Sequence, residues 1–162
     1  MTPDPTRLLD RGVADGLPAP STVLVDGGNP QQAVNIFGIS CESDMQALVG
    51  GMHRLLQAAR CDALDVGRTV TAASELGHNI LRYAGHGQIT VRIGTLGGRR
   101  VCELVAEDRG PGIEDVELAL RDNFSTGSGL GLGLPGVRRL MDSFELQSRP
   151  GHGTRVVVRR WL

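Results

Sequence analysis

The apolar positions change period several times along the chain, and each change marks an element. From Met45, the residues Leu48, Val49, Met52, Leu55, Leu56 and Ala59 recur at helical spacing, with Ser43 or Asp44 placed to cap the start. Gly50-Gly51 weakens this helix, or lets another element approach it closely. A second helix starts at Asp62 or Asp65. Its apolar stripe runs Val66, Val70, Ala73, Leu76 and Ile80, with Tyr83 as an extension, and ends at Gly85. Gln88 to Ile93 then alternates, with Ile89, Val91 and Ile93 on one face and Thr90 and Arg92 on the other. Leu96-Gly97-Gly98-Arg99 is a hairpin turn, and Val101 to Ala106 is the return strand. Glu114 to Arg121 is a short helix, and Pro135 fits the first turn of another with Val137, Leu140 and Met141 on its apolar face. Phe144 to Gln147 and Thr154 to Trp161 are the last two strands, joined by Arg149 to Gly153. Ala33 to Ile39 reads as a first strand, and Ser21 to Val25 as a further short one. This order predicts an α+β fold, a two-layer sandwich with helices packed on one face of a mixed, mostly antiparallel sheet.

The prolines up to Pro30 and the Asp26-Gly27-Gly28-Asn29 cluster make residues 1–32 a mobile arm, and leave 33–162 as a single domain. A chain of 162 residues with 40% hydrophobic content has enough length for a real core. A net charge of -1 gives no case for nucleic acid or an anionic membrane as partner. No apolar run is long enough to span a bilayer, and Met1 to Leu17 is too polar for a signal peptide. The 3 cysteines, Cys41, Cys61 and Cys102, form no Cys-x-x-Cys pair. They read as reduced thiols of a cytoplasmic protein, with zinc unlikely.

One absence changes the picture. The chain contains no lysine, so all 17 basic residues are arginines. That excludes a Walker A lysine, the strand lysine of eukaryotic-type protein kinases and Schiff-base chemistry. Any nucleotide phosphate must be handled by arginine, backbone amides and a metal.

Four stretches carry candidate chemistry. Glu75 and Asn79 are one helical turn apart, and Arg82 follows on the same side. A carboxylate, an amide oxygen and a guanidinium in a row can serve a hydrated magnesium ion and phosphate oxygens, or form an ordinary solvated face. Asp108 closes a strand and is followed by Gly110-Pro111-Gly112, which is either a plain turn or a place where a flat polar base edge meets backbone. Four alternating glycines between 127 and 133 cannot make a stable helix or strand, and their amides open the helix at Pro135 as an anion site. This loop follows no strand, so it is not a dinucleotide fingerprint. Gly151-His152-Gly153-Thr154 puts a hydroxyl at a strand start, where it can complete recognition of a base edge or simply close a hairpin. The histidines 53, 78, 86 and 152 do not cluster.

Taken together and in this order, Glu75-x-x-x-Asn79, Asp108-x-Gly110-x-Gly112, Gly129-Leu-Gly131-Leu-Gly133-Leu and Gly151-x-Gly153-Thr154 resemble the ATP-binding boxes of the GHKL superfamily and its Bergerat fold. The stretches from Thr71, Ala106 and Phe124 are similar to one branch, the RsbT-type serine/threonine switch kinases of bacterial stress-response partner-switching modules. The resemblance runs from about residue 33 to the end. It implies MgATP as ligand, with Glu75 as general base and Asn79 holding magnesium. Arg82 would contact phosphate, Asp108 would accept from the adenine amino group, and Gly110 and Gly112 would let the base lie against the backbone. The lid would comprise Ser125, Thr126, Gly127, Gly129, Leu130, Gly131, Leu132 and Gly133, and Thr154 would touch the adenine edge. Some relatives carry a basic residue in the lid, where this chain has Thr126-Gly127-Ser128-Gly129. Arg82, Arg138 or Arg139 must then help magnesium neutralise the γ-phosphate, and turnover is expected to be slow.

The implied activity is phosphorylation of a serine or threonine on a STAS-domain protein, together with docking to a PP2C-type phosphatase. Neither nucleic acid nor membrane is an expected partner, and a homodimer stays open. Two alternatives share the same boxes. One is a non-catalytic ATP-binding regulatory module whose output is docking. The other is an anti-sigma factor that sequesters a sigma subunit.

Overall fold

The computed structural model describes residues 33–121 and 133–162. The expected arm at 1–32, its strand at Ser21 to Val25, and the lid positions Ser125, Thr126, Gly127, Gly129, Leu130, Gly131 and Leu132 lie outside them. The element order is β1 (Ala33–Ile39), α1 (Glu42–Ala58), α2 (Ala63–Asn79), a π-helical turn (Ile80–Ala84), β2 (Gly87–Leu96), β3 (Arg99–Asp108), α3 (Val116–Ala119), α4 (Gly133–Leu140), β4 (Ser143–Ser148) and β5 (Thr154–Trp161). The five strands form one sheet in the order β1-β2-β3-β5-β4. All junctions between described strands are antiparallel, so the expected mixed sheet contains no parallel pair among these residues. Two helices in succession connect β1 to β2. Each reverses the chain, so β2 runs back along β1, whereas a single crossover helix would have made the pair parallel.

The helix boundaries depend on side chains that the spacing alone misassigns. Neither Ser43 nor Asp44 is the N-cap of α1; Cys41 holds that position in extended backbone. Asp44 sits in the first turn and reaches back, its Oδ2 accepting from the amides of Ser40 (2.8 Å) and Cys41 (3.1 Å) and from Ser40 Oγ (2.7 Å). These three bonds hold the Asp44 carboxyl below its usual range. Asp62 does cap α2, its carboxylate accepting from the Asp65 amide at 2.8 Å. The last turn before Gly85 is π rather than α, with the Gly85 amide donating to the Ile80 carbonyl at 2.9 Å. Tyr83 therefore leaves the apolar stripe and stands 59% exposed.

The core lies between the helices and one face of the sheet. Leu48, Met52 and Leu56 of α1, Leu76 of α2, Ile89 and Val91 of β2, Leu104 of β3 and Val158 of β5 are buried together. Gly51 serves this packing, because a Cβ there would stand 2.5 Å from the Phe37 ring. Helix α4 packs on α2 and adds Val137 to the core. Arg160 ties the pair at one end, its guanidinium bonding Asp65 (2.7 Å) at the start of α2 and Asp142 (2.9 Å) just past α4. At the other end, Gly133 at the start of α4 meets Glu75 in the last turns of α2, so the two helices run antiparallel.

The opposite face of the sheet carries charge. Glu103 of β3 is fully buried there, at 0% exposure. It accepts from Arg159 at 2.8 Å and pairs with Arg92 at 3.2 Å, and Arg159 also reaches Glu145 at 2.7 Å. The row crosses β2, β3, β5 and β4 with alternating sign. Removing one member of such a pair leaves a buried charge without compensation, which costs about 3–5 kcal/mol. Glu103→Ala is therefore expected to lower the unfolding free energy by about that amount, read from urea titrations followed by circular dichroism. A loss well under 1 kcal/mol would show that the row is solvated in the folded protein.

Candidate functional site

The candidate residues fall in two groups, one on α2 and one at the end of β3. At the first, Glu75 is held inside, at 5% exposure, by its position on α2. Its neighbours Ala72, Ala73 and Leu76 are buried against the sheet and set the rotation of the helix. Glu75 Oε2 accepts from the Gly133 amide at 3.1 Å. Its Oε1 is buried and has no hydrogen-bond partner among the described residues. Asn79, one turn on, closes the α-helical stretch and is half-buried. Arg82 lies in the π turn and is exposed. Its guanidinium stands over the Tyr83 ring at 5.4 Å.

At the second end, Asp108 is the last residue of β3, opposite Gly87 of β2 and Thr154 of β5. Its Oδ1 accepts from the Gly110 amide at 2.8 Å. Burial pushes the Asp108 carboxyl above its usual range, opposed by the amides of Gly110 and Thr154 and by the nearby His86. The glycines around it are required by the protein itself. A Cβ on Gly110 would stand 2.6 Å from Ala84 Cβ, and one on Gly112 would stand 2.1 Å from the Arg149 carbonyl oxygen. A Cβ on Gly153 would stand 2.1 Å from the Asp108 carbonyl oxygen. The three loops after β3, after the π turn and between β4 and β5 thus close on one another with no room for side chains.

Thr154 is where the sequence placed it, and its hydroxyl is hydrogen-bonded to Ser148 Oγ at 2.9 Å. Ser148 was missed from sequence. Its Oγ also accepts from the Ile113 amide at 2.8 Å and donates to the Gly153 carbonyl at 2.9 Å, which joins the loop after β3 to the β4–β5 turn. The only signal for it is a serine at the end of a strand before Arg149-Pro150-Gly151, a pattern shared with ordinary turns. Gly87 was missed as well. A Cβ there would collide with the Glu107 carbonyl, Ile80 and Asp108, so the strand end is pressed onto the π turn.

The spacing of the two ends suits a nucleoside triphosphate. From the π turn, against which the Asp108 loop packs, to Glu75 is roughly 10 Å along the helix axis. A hydrogen-bonding carboxylate lies at one end, and a buried carboxylate with one unsatisfied oxygen beside an amide oxygen lies at the other. Oxygen donors of this kind fit magnesium, which keeps its own waters and phosphate oxygens and needs few protein ligands. Among the described residues no group of three or more His, Cys, Asp or Glu forms a self-sufficient metal cage. Among them, too, no helix is long and apolar enough to cross a membrane.

The pinned Oδ1 and the raised pKa of Asp108 lead to a test in the absence of ligand. A carboxyl whose folded pKa is raised stabilises most below its unfolded value of 3.8 and loses that contribution as pH rises through the folded value. Asp108→Asn keeps an acceptor for Gly110 and removes the desolvated charge. The variant should be at least as stable as wild type at pH 7, with its relative advantage shrinking as pH is lowered through the carboxylate range. Thermal unfolding at a series of pH values checks this, and a variant less stable at pH 7 would overturn it.

Residues 65–161 match the family model described as Histidine kinase-, DNA gyrase B-, and HSP90-like ATPase. The serine/threonine-protein kinase RsbT of Bacillus subtilis (strain 168) is 48% identical over 99 residues, covering 61% of this chain and 74% of that protein. An anti-sigma F factor of Caldanaerobacter subterraneus subsp. tengcongensis is 35% identical over 98 residues, covering 57% of this chain and 67% of that protein. Another, from Thermoanaerobacter sp. (strain X514), is 32% identical over 98 residues with the same coverage. With more than half of its length matched by the family model, the chain belongs to the histidine kinase-, DNA gyrase B- and HSP90-like ATPases.

Proposed function

We propose that this chain is an ATP-dependent serine/threonine protein kinase of a bacterial partner-switching module. Its substrate is a hydroxyl on a STAS-domain protein, and a PP2C-type phosphatase is its second docking partner. The observation that carries the reading is Glu75, a buried carboxylate with one oxygen held and the other unsatisfied. A structural carboxylate would have both oxygens paired. A catalytic base needs an oxygen open to a proton. The similarity to a serine/threonine-protein kinase supports the same choice.

In this reading Asp108 selects the base. Its Oδ1 is taken by Gly110, and the carboxylate would also accept from an exocyclic amino group such as that of adenine. The Ser148–Thr154 hydroxyl pair faces the same loop cluster and completes the polar edge. Asn79 would hold magnesium, which would supply charge neutralisation at the phosphates. Glu75 Oε1 takes the proton of the incoming serine or threonine hydroxyl as its oxygen bonds to the γ-phosphorus and the bond to the ADP oxygen breaks. The rest of the catalysis is orientation and charge neutralisation, for which arginine and backbone amides stand in for the missing lysine. A second reading, sequestration of a sigma subunit, is favoured by the similarity to two anti-sigma F factors. Co-purification with a sigma factor rather than a STAS-domain protein would favour it.

The test combines transfer and binding. With radiolabelled γ-phosphate, magnesium and a STAS-domain partner, wild type should label the partner, and Glu75→Ala should label it at least about 100-fold more slowly while still binding ATP. Asp108→Asn should lose ATP binding in calorimetry, because its amide oxygen stays on Gly110 and its NH2 then faces the adenine amino group, donor against donor. Equal labelling by Glu75→Ala would remove its role as base. Unchanged ATP affinity in Asp108→Asn would remove adenine selection by that residue.

A further inference from the structure

The bond between Glu75 and Gly133 has a consequence for how the base becomes available. Gly133 is the first residue of α4, a helix of 8 residues, and has φ 55°. Its amide is one of the donors that a helix leaves unsatisfied at its N-terminus, where the helix dipole also favours an anion. In this structure the anion is the Glu75 carboxylate, at 3.1 Å. The partner is not a surface side chain that happens to lie nearby. Glu75 is 5% exposed, its other oxygen is buried without a partner, and it sits on α2, the helix that α4 packs against. Asn79, the proposed magnesium ligand, lies one turn further along the same helix.

We propose that the Gly133 amide is a positioning group shared by two anions in turn: without nucleotide it holds the Glu75 carboxylate, and a bound triphosphate takes it over through its terminal phosphate. The inference rests on the kinase reading above and deepens it. An amide at a helix N-terminus serves phosphate at least as well as carboxylate, and two anions cannot share one N–H at close range without repelling each other. Once phosphate occupies the amide, Glu75 Oε2 is released, and the carboxylate is free to turn toward the substrate hydroxyl. The base is thus engaged while no phosphoryl donor is present and released by the donor itself.

Calorimetry and NMR on the full chain separate the outcomes. Glu75→Ala removes the competing anion, so it should bind MgATP about tenfold more tightly than wild type, the equivalent of one hydrogen bond to a charged group. MgADP, which lacks the terminal phosphate, should gain much less. Glu75→Gln, which keeps the shape and a neutral acceptor, should fall between and guards against a folding defect in the alanine variant. In 15N-labelled wild type the Gly133 amide resonance should move on Glu75→Ala, and MgATP should bring wild type and variant to the same position. If wild type and both variants bind MgATP equally, or if saturating MgATP leaves the wild-type Gly133 resonance in place, the exchange does not occur although the kinase reading stands. If wild type binds no MgATP at all, both fall. A tighter Glu75→Ala complex with an unmoved Gly133 resonance would mean simple charge repulsion, and would also overturn the shared amide.

Discussion

The rotation of α2 about its own axis is the constraint from which the site follows. Ala72, Ala73 and Leu76 are buried against the sheet, and full burial of a side chain such as leucine is worth about 1.5–3 kcal/mol. Those contacts leave no freedom to turn Glu75 out into water. A buried carboxylate is costly, and the protein offsets part of that cost with the N-terminal amide of α4 rather than with a cation. A cation would have satisfied Glu75 more fully and tied up the oxygen that the proposed base keeps open.

The sheet meets a similar demand differently on its two faces. Toward the helices it is apolar, with Ile89, Val91, Leu104 and Val158 in one core. Away from them it buries Glu103 between Arg92 and Arg159. Both faces of β3 are consequently buried, and this strand ends in Asp108. The residue proposed to select the base is carried on a strand buried on both faces, while the loops beyond it are locked by backbone contacts that exclude any side chain at positions 112 and 153.

Much of this was legible from local pattern. The period of the apolar residues located both long helices and the β2–β3 hairpin. What escaped depends on contacts between residues distant in sequence. The π turn at Ile80–Ala84 lies where Gly87 and Gly110 closely approach Ile80 and Ala84, which no helical periodicity records. It carried Tyr83 to the surface. The cap of α1 was missed because its acceptor sits inside the helix and bonds backward. Ser148 and the Glu75–Gly133 bond were invisible because their partners lie 35 and 58 residues away. The glycines after Asp108 were correctly singled out, but the contacts that require them are with Ala84 and Arg149 of the protein itself.

The Arg160 bridge adds a mechanical point. It fastens α2 and α4 at Asp65 and Asp142, the ends of the helices farthest from Glu75 and Gly133. Asp142 also accepts from the Trp161 amide at 2.8 Å, which anchors the fastening in β5. Two antiparallel rods pinned at one end can part only at the other, like the blades of a pair of tweezers. A partner protein pressing on the β5 end would bear on this pin, at the opposite end of both helices from the contact between the Glu75 carboxylate and the Gly133 amide.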